Sequence, residues 1–357
     1  MANSKRGKIG KRIVIVVAAL GIAFFAVSFF IDKQELDKTF ARKAPDNPKL
    51  VPTEEFAKAY ESEPVEFSFQ GSTLRGYVYK AEQPKGFVVF RHGIGSDHTS
   101  YLALICALVD RGWTVFAYDA IGSGISDGDN VKGMAQSALD VAAAVEFARE
   151  RGMVGDLPLA LWGHSWGGYG VSAAMDIVPD VDACVTMSGY NSPVGVLMEF
   201  TQRMMGPVAA TQFPTMWLNN KLAFGADADR TALDGINKTN APVLIVHGTG
   251  DAVVDYNGSS IIAQRDRISN ANVQYLTRSE PDRDGHNSYF YSAEANEYLN
   301  AKAAELEKLK EQYPDGVPED VLASFMKDFD SNRANVADPE LIDAIDTFLT
   351  EHCKAKK

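Results

Sequence analysis

Gly163-His164-Ser165-Trp166-Gly167-Gly168 restricts what this chain can fold into more than any other stretch. An apolar run, Leu157 to Trp162, leads into it, and a small-residue helical stretch, Tyr169 to Ile177, follows. Strand, Gly-x-Ser-x-Gly and helix in that order form a sharp elbow that lifts a serine hydroxyl above the edge of a sheet. The flanking glycines remove Cβ atoms where strand and helix approach. Ser165 then lies at the start of a helix whose dipole favours developing negative charge. Taken alone, the six residues fit an ordinary glycine-serine turn equally well. A working nucleophile makes further demands: a base, an acid to orient it, and two backbone N–H groups aimed at one point.

The rest of the chain supplies a matching frame. Val65 to Phe69 and Thr73 to Lys80, separated by Gln70-Gly71-Ser72, predict an antiparallel hairpin. Short apolar strands are then expected at Phe87 to Phe90, Thr114 to Tyr118, Leu159 to Trp162, Ala183 to Met187, Val243 to Val246 and Val273 to Thr277. Helices are expected between them at Thr99 to Asp110, Met134 to Arg149, Trp166 to Ile177 and Asn257 to Arg267. This alternation predicts an α/β fold, a mainly parallel eight-stranded sheet flanked by helices. It breaks between about 190 and 240, where Met198, Phe200, Met204, Met205, Phe213, Met216, Trp217 and Phe224 crowd together. Part of that segment must be helical core. It also predicts an inserted helical cap over the C-terminal edge of the sheet, where open α/β sheets bind ligands. Met198, Met204, Met205, Phe213 and Trp217 are its candidate acyl-pocket residues, since methionine adapts to a floppy apolar ligand. A helical extension is expected over about 293–357, its last helix presenting Leu341, Ile342, Ile345, Phe348 and Leu349 on one face.

Six histidines make the search for a base short. His92 follows the Phe87 to Phe90 strand and reads as a structural loop residue, and His98 starts the next helix. His164 lies inside the elbow and points away from the nucleophile by alternation; His247 ends a strand, and His352 is in the C-terminal tail. His286, in Asp284-Gly285-His286-Asn287 after the last strand, can reach back over the sheet edge and is the expected base. Asp251, after the Val243 to Val246 strand and a Gly-rich turn, is the expected acid; Asp255 competes but falls at the start of the next predicted helix. The order Ser165, Asp251, His286 suits this fold rather than the trypsin or subtilisin types. The backbone N–H groups of Trp166 and Ile94 are the expected oxyanion hole.

Residues 13–31, IVIVVAALGIAFFAVSFFI, carry no charge, and at about 1.5 Å per residue span the hydrocarbon thickness of a bilayer. A basic segment, 1–12, precedes them and Asp32 follows, so the positive-inside rule places the N-terminus in the cytoplasm and the remainder outside. A cleaved signal peptide is the rival, but the run is long and ends in a poor cleavage site, Phe29-Phe30-Ile31-Asp32. Residues 32–62, with Pro45, Pro48 and Pro52, read as a linker with a short helix near Thr53 to Tyr60, leaving 63–357 as the main domain. Five positive charges and no acids in the first 31 residues leave the remainder near −17 against a formal −12 for the chain, which argues against nucleic-acid binding. Cys106, Cys184 and Cys353 make no disulfide framework or zinc spacing.

With His92-Gly93-Ile94-Gly95, His98 and Tyr101, the run Tyr118 to Ser126, the elbow and His247-Gly248-Thr249-Gly250-Asp251 assembled, the chain resembles the α/β-hydrolase superfamily, in particular its monoacylglycerol lipase, lysophospholipase and serine aminopeptidase-like branch, over roughly Phe67 to His286. Ile121 departs from the pattern, since many relatives carry arginine or another polar residue there. The resemblance implies two-step acyl transfer through Ser165, with no cofactor or metal, and a nucleophile unlike that of dehalogenases and epoxide hydrolases. The expected activity is a membrane-anchored serine esterase for acylglycerol or lysophospholipid-like esters. The alternatives are an aminopeptidase-like peptidase, with Glu199 or Asp227 holding the substrate amine, and a non-catalytic binding protein.

Overall fold

A computed structural model describes residues 2–42, 58–314 and 316–354. Most of the short helix expected near Thr53 to Tyr60, and the three linker prolines, lie outside the described residues. The elements run α1 (Ala2–Phe40), β1 (Ser62–Phe69), β2 (Ser72–Tyr79), β3 (Gly86–Arg91), α2 (Leu102–Asp110), β4 (Trp113–Tyr118), α3 (Gln136–Glu150), β5 (Leu159–His164), α4 (Trp166–Ala174), β6 (Ala183–Met187), α5 (Pro193–Met205), α6 (Phe213–Phe224), α7 (Ala232–Lys238), β7 (Val243–Gly248), β8 (Val273–Arg278), α8 (Ala293–Gln312), α9 (Glu319–Lys327), α10 (Ser331–Ala334) and α11 (Pro339–His352).

The eight strands form one sheet in the order β1-β2-β4-β3-β5-β6-β7-β8. The β1–β2 and β2–β4 pairs are antiparallel and the other five parallel. Side chains alternate between two buried faces. Val89, Phe116, Leu161 and Ile245 join the core beneath α3, α4 and α7, while Val88, Phe90, Trp162 and Val246 join the one beneath α2 and α11. The apolar stripe predicted for α11 is wholly buried in that second core. Strand order reverses around β3 and β5, so the crevice of the sheet opens beyond the ends of these two strands.

Two elements differ from the sequence expectation, the N-terminal helix and the segment after β7, while the 190–240 segment is helical as expected. The N-terminal helix runs on through Asp32 to Phe40 instead of ending at Ile31, because Ser28, Asp32 and Phe40 gain buried contacts with the domain. The 190–240 segment folds as α5, a 3-10 turn (Gly206–Gln212), α6, a second 3-10 turn (Gly225–Asp229) and α7. The helix expected over Asn257 to Arg267 is only a 3-10 turn at Ile262–Arg267. There the Asp255 and Ser259 amides donate to the Glu199 carboxylate at 3.0 and 2.6 Å, and Ser260 pairs with Tyr190, so the cap takes the backbone groups a helix would need.

Candidate active site

The elbow is built by exclusion. β5 is fully buried, and Ser165 turns out of it at φ 55°, ψ −114°, a conformation a side chain adopts only under constraint. The Ser165 amide donates to the Met187 carbonyl at 2.8 Å, and its carbonyl accepts from Tyr169 at 3.0 Å. A Cβ at Gly163 would lie 2.3 Å from the Gly167 carbonyl oxygen, and one at Gly167 would lie 1.9 Å from that of Arg91. Only glycine permits this crossing.

Asp251 and His286 meet at the same edge. The Gly250 amide donates to the Asp284 carbonyl at 2.9 Å, which draws the loop after β8 onto the turn after β7. His286 Nδ1–H donates to Asp251 Oδ2 at 2.7 Å, leaving Nε2 as the acceptor nitrogen. The other Asp251 oxygen accepts the amides of Val253 and Val254 at 2.8 and 2.9 Å. His247 Nε2 adds a contact of 3.1 Å to Oδ2. Burial alone would raise the Asp251 pKa, but hydrogen bonds from His247 and His286 hold it far below the usual carboxylate range. The carboxylate therefore stays ionised beside the imidazole it orients.

His164 packs beside His286. Its ring lies 4.7 Å from that of His286, and its Nε2–H donates to the His286 carbonyl at 3.0 Å. The Ser188 hydroxyl donates to the same carbonyl, also at 3.0 Å. Behind His164, Nδ1 accepts from the Tyr101 hydroxyl at 2.8 Å, and that hydroxyl accepts from the Gly93 amide at 3.1 Å. Burial and the neighbouring His286 push the His164 pKa well down, so it serves as a neutral brace with one fixed donor. The chain Gly93–Tyr101–His164–His286 ties the loop after β3 to the backbone of His286. Sequence spacing gave no sign of it, because its members meet only when that loop and the one after β8 fold over the same edge.

Trp166 is the first residue of α4, and its indole N–H donates to the Met134 carbonyl at 2.8 Å. The Arg91 guanidinium stacks over that ring at 4.2 Å and faces Asp140 at 3.6 Å, all three side chains fully buried. Gly93 lets the following loop close in, since a Cβ there would lie 2.9 Å from the Tyr101 hydroxyl. Ile94 comes next and is partly exposed. His92 is a buried bolt: its Nδ1–H donates to the Gly93 carbonyl at 2.7 Å and its Nε2 accepts the Ala120 amide at 3.0 Å. Burial and the adjacent Arg91 lower its pKa to about 3, keeping it neutral. His98 Nδ1–H is occupied by Asp119 at 2.8 Å.

The cap corrects part of the expectation. Met204 and Met205 at the end of α5, and Phe213 and Trp217 on α6, lie open to solvent instead of enclosing an acyl wall; Met198 is half-buried. Both carboxylates considered for a substrate amine are engaged. Glu199 pairs with Arg203 while accepting the Asp255 and Ser259 amides, and Asp227 pairs with Arg230 at 2.7 Å. Ile121, the departure in the loop after β4, is fully buried in the core.

A family model described as serine aminopeptidase, S33, matches residues 82–229. The uncharacterized protein YfhR of Salmonella typhi is 27% identical over 225 residues, 60% of this chain and 71% of that protein. The polyketide transferase grgF of a Penicillium species is 30% identical over 128 residues, 35% of this chain and 44% of that one. Among solved structures, the esterase Pf2001 of Pyrococcus furiosus aligns with a TM-score of 0.53 at 16% identity, over 76% of this chain and 98% of its own. The sheet order, the elbow and the solved-structure match define one class of architecture, the α/β-hydrolase fold, and over residues 82–229 the chain is similar to the serine aminopeptidase, S33, family.

Proposed function

We propose that the chain is a membrane-anchored serine hydrolase that cleaves carboxylic esters of apolar acyl groups through an acyl-enzyme. The observation that carries this is the Asp251–His286 pair, set at 2.7 Å at the sheet edge where Ser165 stands in its strained turn. In the proposed cycle Ser165 Oγ bonds to the ester carbonyl carbon as its proton passes to His286 Nε2. Ionised Asp251 stabilises the resulting imidazolium. The Trp166 and Ile94 amides hold the oxyanion. Collapse of the tetrahedral species breaks the bond to the alkoxy oxygen, which takes the proton from His286 and leaves as alcohol. Water then attacks the acyl-serine with the same base, releasing the acid and restoring Ser165. Residues 13–31 are the proposed anchor, uncleaved, with the basic N-terminus cytoplasmic and the domain on the other side. The helix carrying them is long and apolar enough to cross a membrane by length and composition.

The second reading, a peptidase of the aminopeptidase kind, follows the description of the matching family model. It needs a cap carboxylate free for the substrate amine, and Glu199 and Asp227 already carry internal partners, which favours the ester.

A fluorophosphonate probe tests the chemistry. It is expected to label the wild-type protein and not Ser165→Ala, with turnover of p-nitrophenyl esters falling at least about a thousandfold in the variant. Labelling that survives the substitution overturns the assignment. Faster turnover of aminoacyl p-nitroanilides than of any p-nitrophenyl ester would instead establish the peptidase.

A further inference from the structure

The anchor and the cap are one packed unit. On α6, Thr215 and Asn219 lie one turn apart and both meet α1: the Thr215 hydroxyl donates to the Asp32 carboxylate, and Asn219 Nδ2 donates to the Phe29 carbonyl at 3.3 Å. Ser28 and Asp32 are buried in this contact. Beyond it, the Phe40 carbonyl accepts the Val131 amide at 2.8 Å, and the Arg42 guanidinium donates to the carbonyls of Gly124, Ser126 and Gly128 at 2.6–3.1 Å. The helix is thus fastened at both ends of its docked part and cannot swing clear of the domain.

This attachment sets the height of the cap. Phe29 lies two residues inside the end of the uncharged run at Ile31, about 3 Å along the helix axis. An α6 side chain that reaches the Phe29 carbonyl therefore lies at the level of the last turn of the span. A helix with its side chains is about 10 Å across, and each interfacial layer of a bilayer is roughly 5–8 Å deep. The neighbouring face of α6 consequently falls at the lipid boundary.

The sequence of that region suits such a place. Residues 204–220 carry no charged side chain across 17 positions, in a body whose net charge is strongly negative. Met204 is 80% exposed, Val208 59%, Phe213 51%, Trp217 42% and Leu222 70%. In water an apolar patch of this kind has no partner. An aromatic ring beside a span end is also a common interfacial anchor.

We propose that the uncharged cap segment Met204 to Asn220, with Leu222, is a second membrane contact, seated in the interfacial layer of the leaflet from which α1 emerges. It rests on the anchor reading above. The contact is apolar rather than electrostatic, because the acidic body offers anionic lipid no attraction. It sets the cap, and the cleft beneath it, against the lipid that the site would draw on.

Trp217 is a built-in probe, since Trp113, Trp162 and Trp166 are fully buried. The full chain would be reconstituted in phosphatidylcholine vesicles, and its fluorescence compared with that of Trp217→Phe to isolate the Trp217 emission. Bromine at the shallow 6,7 acyl positions is expected to quench that emission at least twofold, and more than bromine at positions 11,12. Aqueous iodide is expected to quench it weakly. Independently, a nitroxide on Val208→Cys is expected to be more accessible to oxygen than to a water-soluble nickel chelate; the three native cysteines are buried and will not compete. Protein that stays in the vesicles through a carbonate wash while Trp217 responds to iodide and not to bromine overturns the second contact and leaves the anchor standing. Protection from both quenchers means a protein surface covers the cap, which also overturns it. Release by carbonate removes the anchor and this inference together.

Discussion

Asp119 shows how much of this site is spent on holding loops. Its Oδ1 accepts the His98 amide and Nδ1–H, both at 2.8 Å, and its Oδ2 accepts the Ile125 amide at 2.9 Å. Burial alone would raise its pKa, but the His98 hydrogen bonds and nearby charge lower it to about 2. The sign follows from linkage. A carboxyl whose folded pKa is below its unfolded value of about 3.9 adds stability above that value and loses it as pH falls through the folded pKa. Asp119→Asn is therefore expected to cost about 2–3 kcal/mol at pH 7, and the gap to wild type should shrink to roughly half by pH 3. Denaturant titrations at several pH values, in the same detergent, check this; a gap independent of pH would assign the loss to geometry alone. Ser165, Asp251 and His286 could be named as candidates from sequence because each lies on the turn or loop that follows a strand, and the strand ends could be read. His164, Tyr101 and His247 could not be named in this way. Their partners lie 122, 63 and 4 positions away, and even the short separation acts through a turn that spacing does not specify.

At the scale of elements, the eight strands were legible to within a few residues, because a parallel sheet buried on both faces demands short apolar runs bounded by turns. The helix expected over Asn257 to Arg267 failed for a reason that lies in another element. Glu199 on α5 takes the Asp255 and Ser259 amides, and Arg203 on the same helix donates to the carbonyls of Ala252 and Val253 at 2.5 and 3.0 Å. The cap is thus clamped to the loop that carries Asp251. Local propensity cannot anticipate a carboxylate arriving from some 56 residues earlier. The clamp has a measurable consequence. Glu199→Gln removes the charge that holds Arg203 and one strong acceptor, a loss of about 1–3 kcal/mol at the site. Hydrogen exchange at the Asp255 and Ser259 amides should then quicken about tenfold or more, with the strands unchanged. Unaltered protection would show that the cap holds this loop without its carboxylate.

For the whole molecule, charge and packing act together. The first 31 residues hold five basic side chains and no acid, while the remainder is near −17 within a chain total of −12. On the proposed anchor, the basic flank before the apolar helix would place that end inside. Packing then adds what charge cannot. Because α1 continues unbroken to Phe40 and is tied to α6 and to the loop after β4, the domain cannot hang at the end of a flexible stalk, as the proline-bearing linker had suggested. The side chains of α1 from Ile13 to Val27 stand clear of the domain and are exposed, as the proposed anchor requires. The proposed orientation predicts the result of protease protection. In right-side-out membrane vesicles, added protease should digest the domain beyond Phe40, whereas in inverted vesicles the domain should survive and only the short basic N-terminus be trimmed. Cleavage of the domain in inverted vesicles would reverse the orientation. It would leave the anchor–cap packing intact, since that packing depends on the contacts of Phe29 and Asp32 and is the same whichever leaflet α1 leaves.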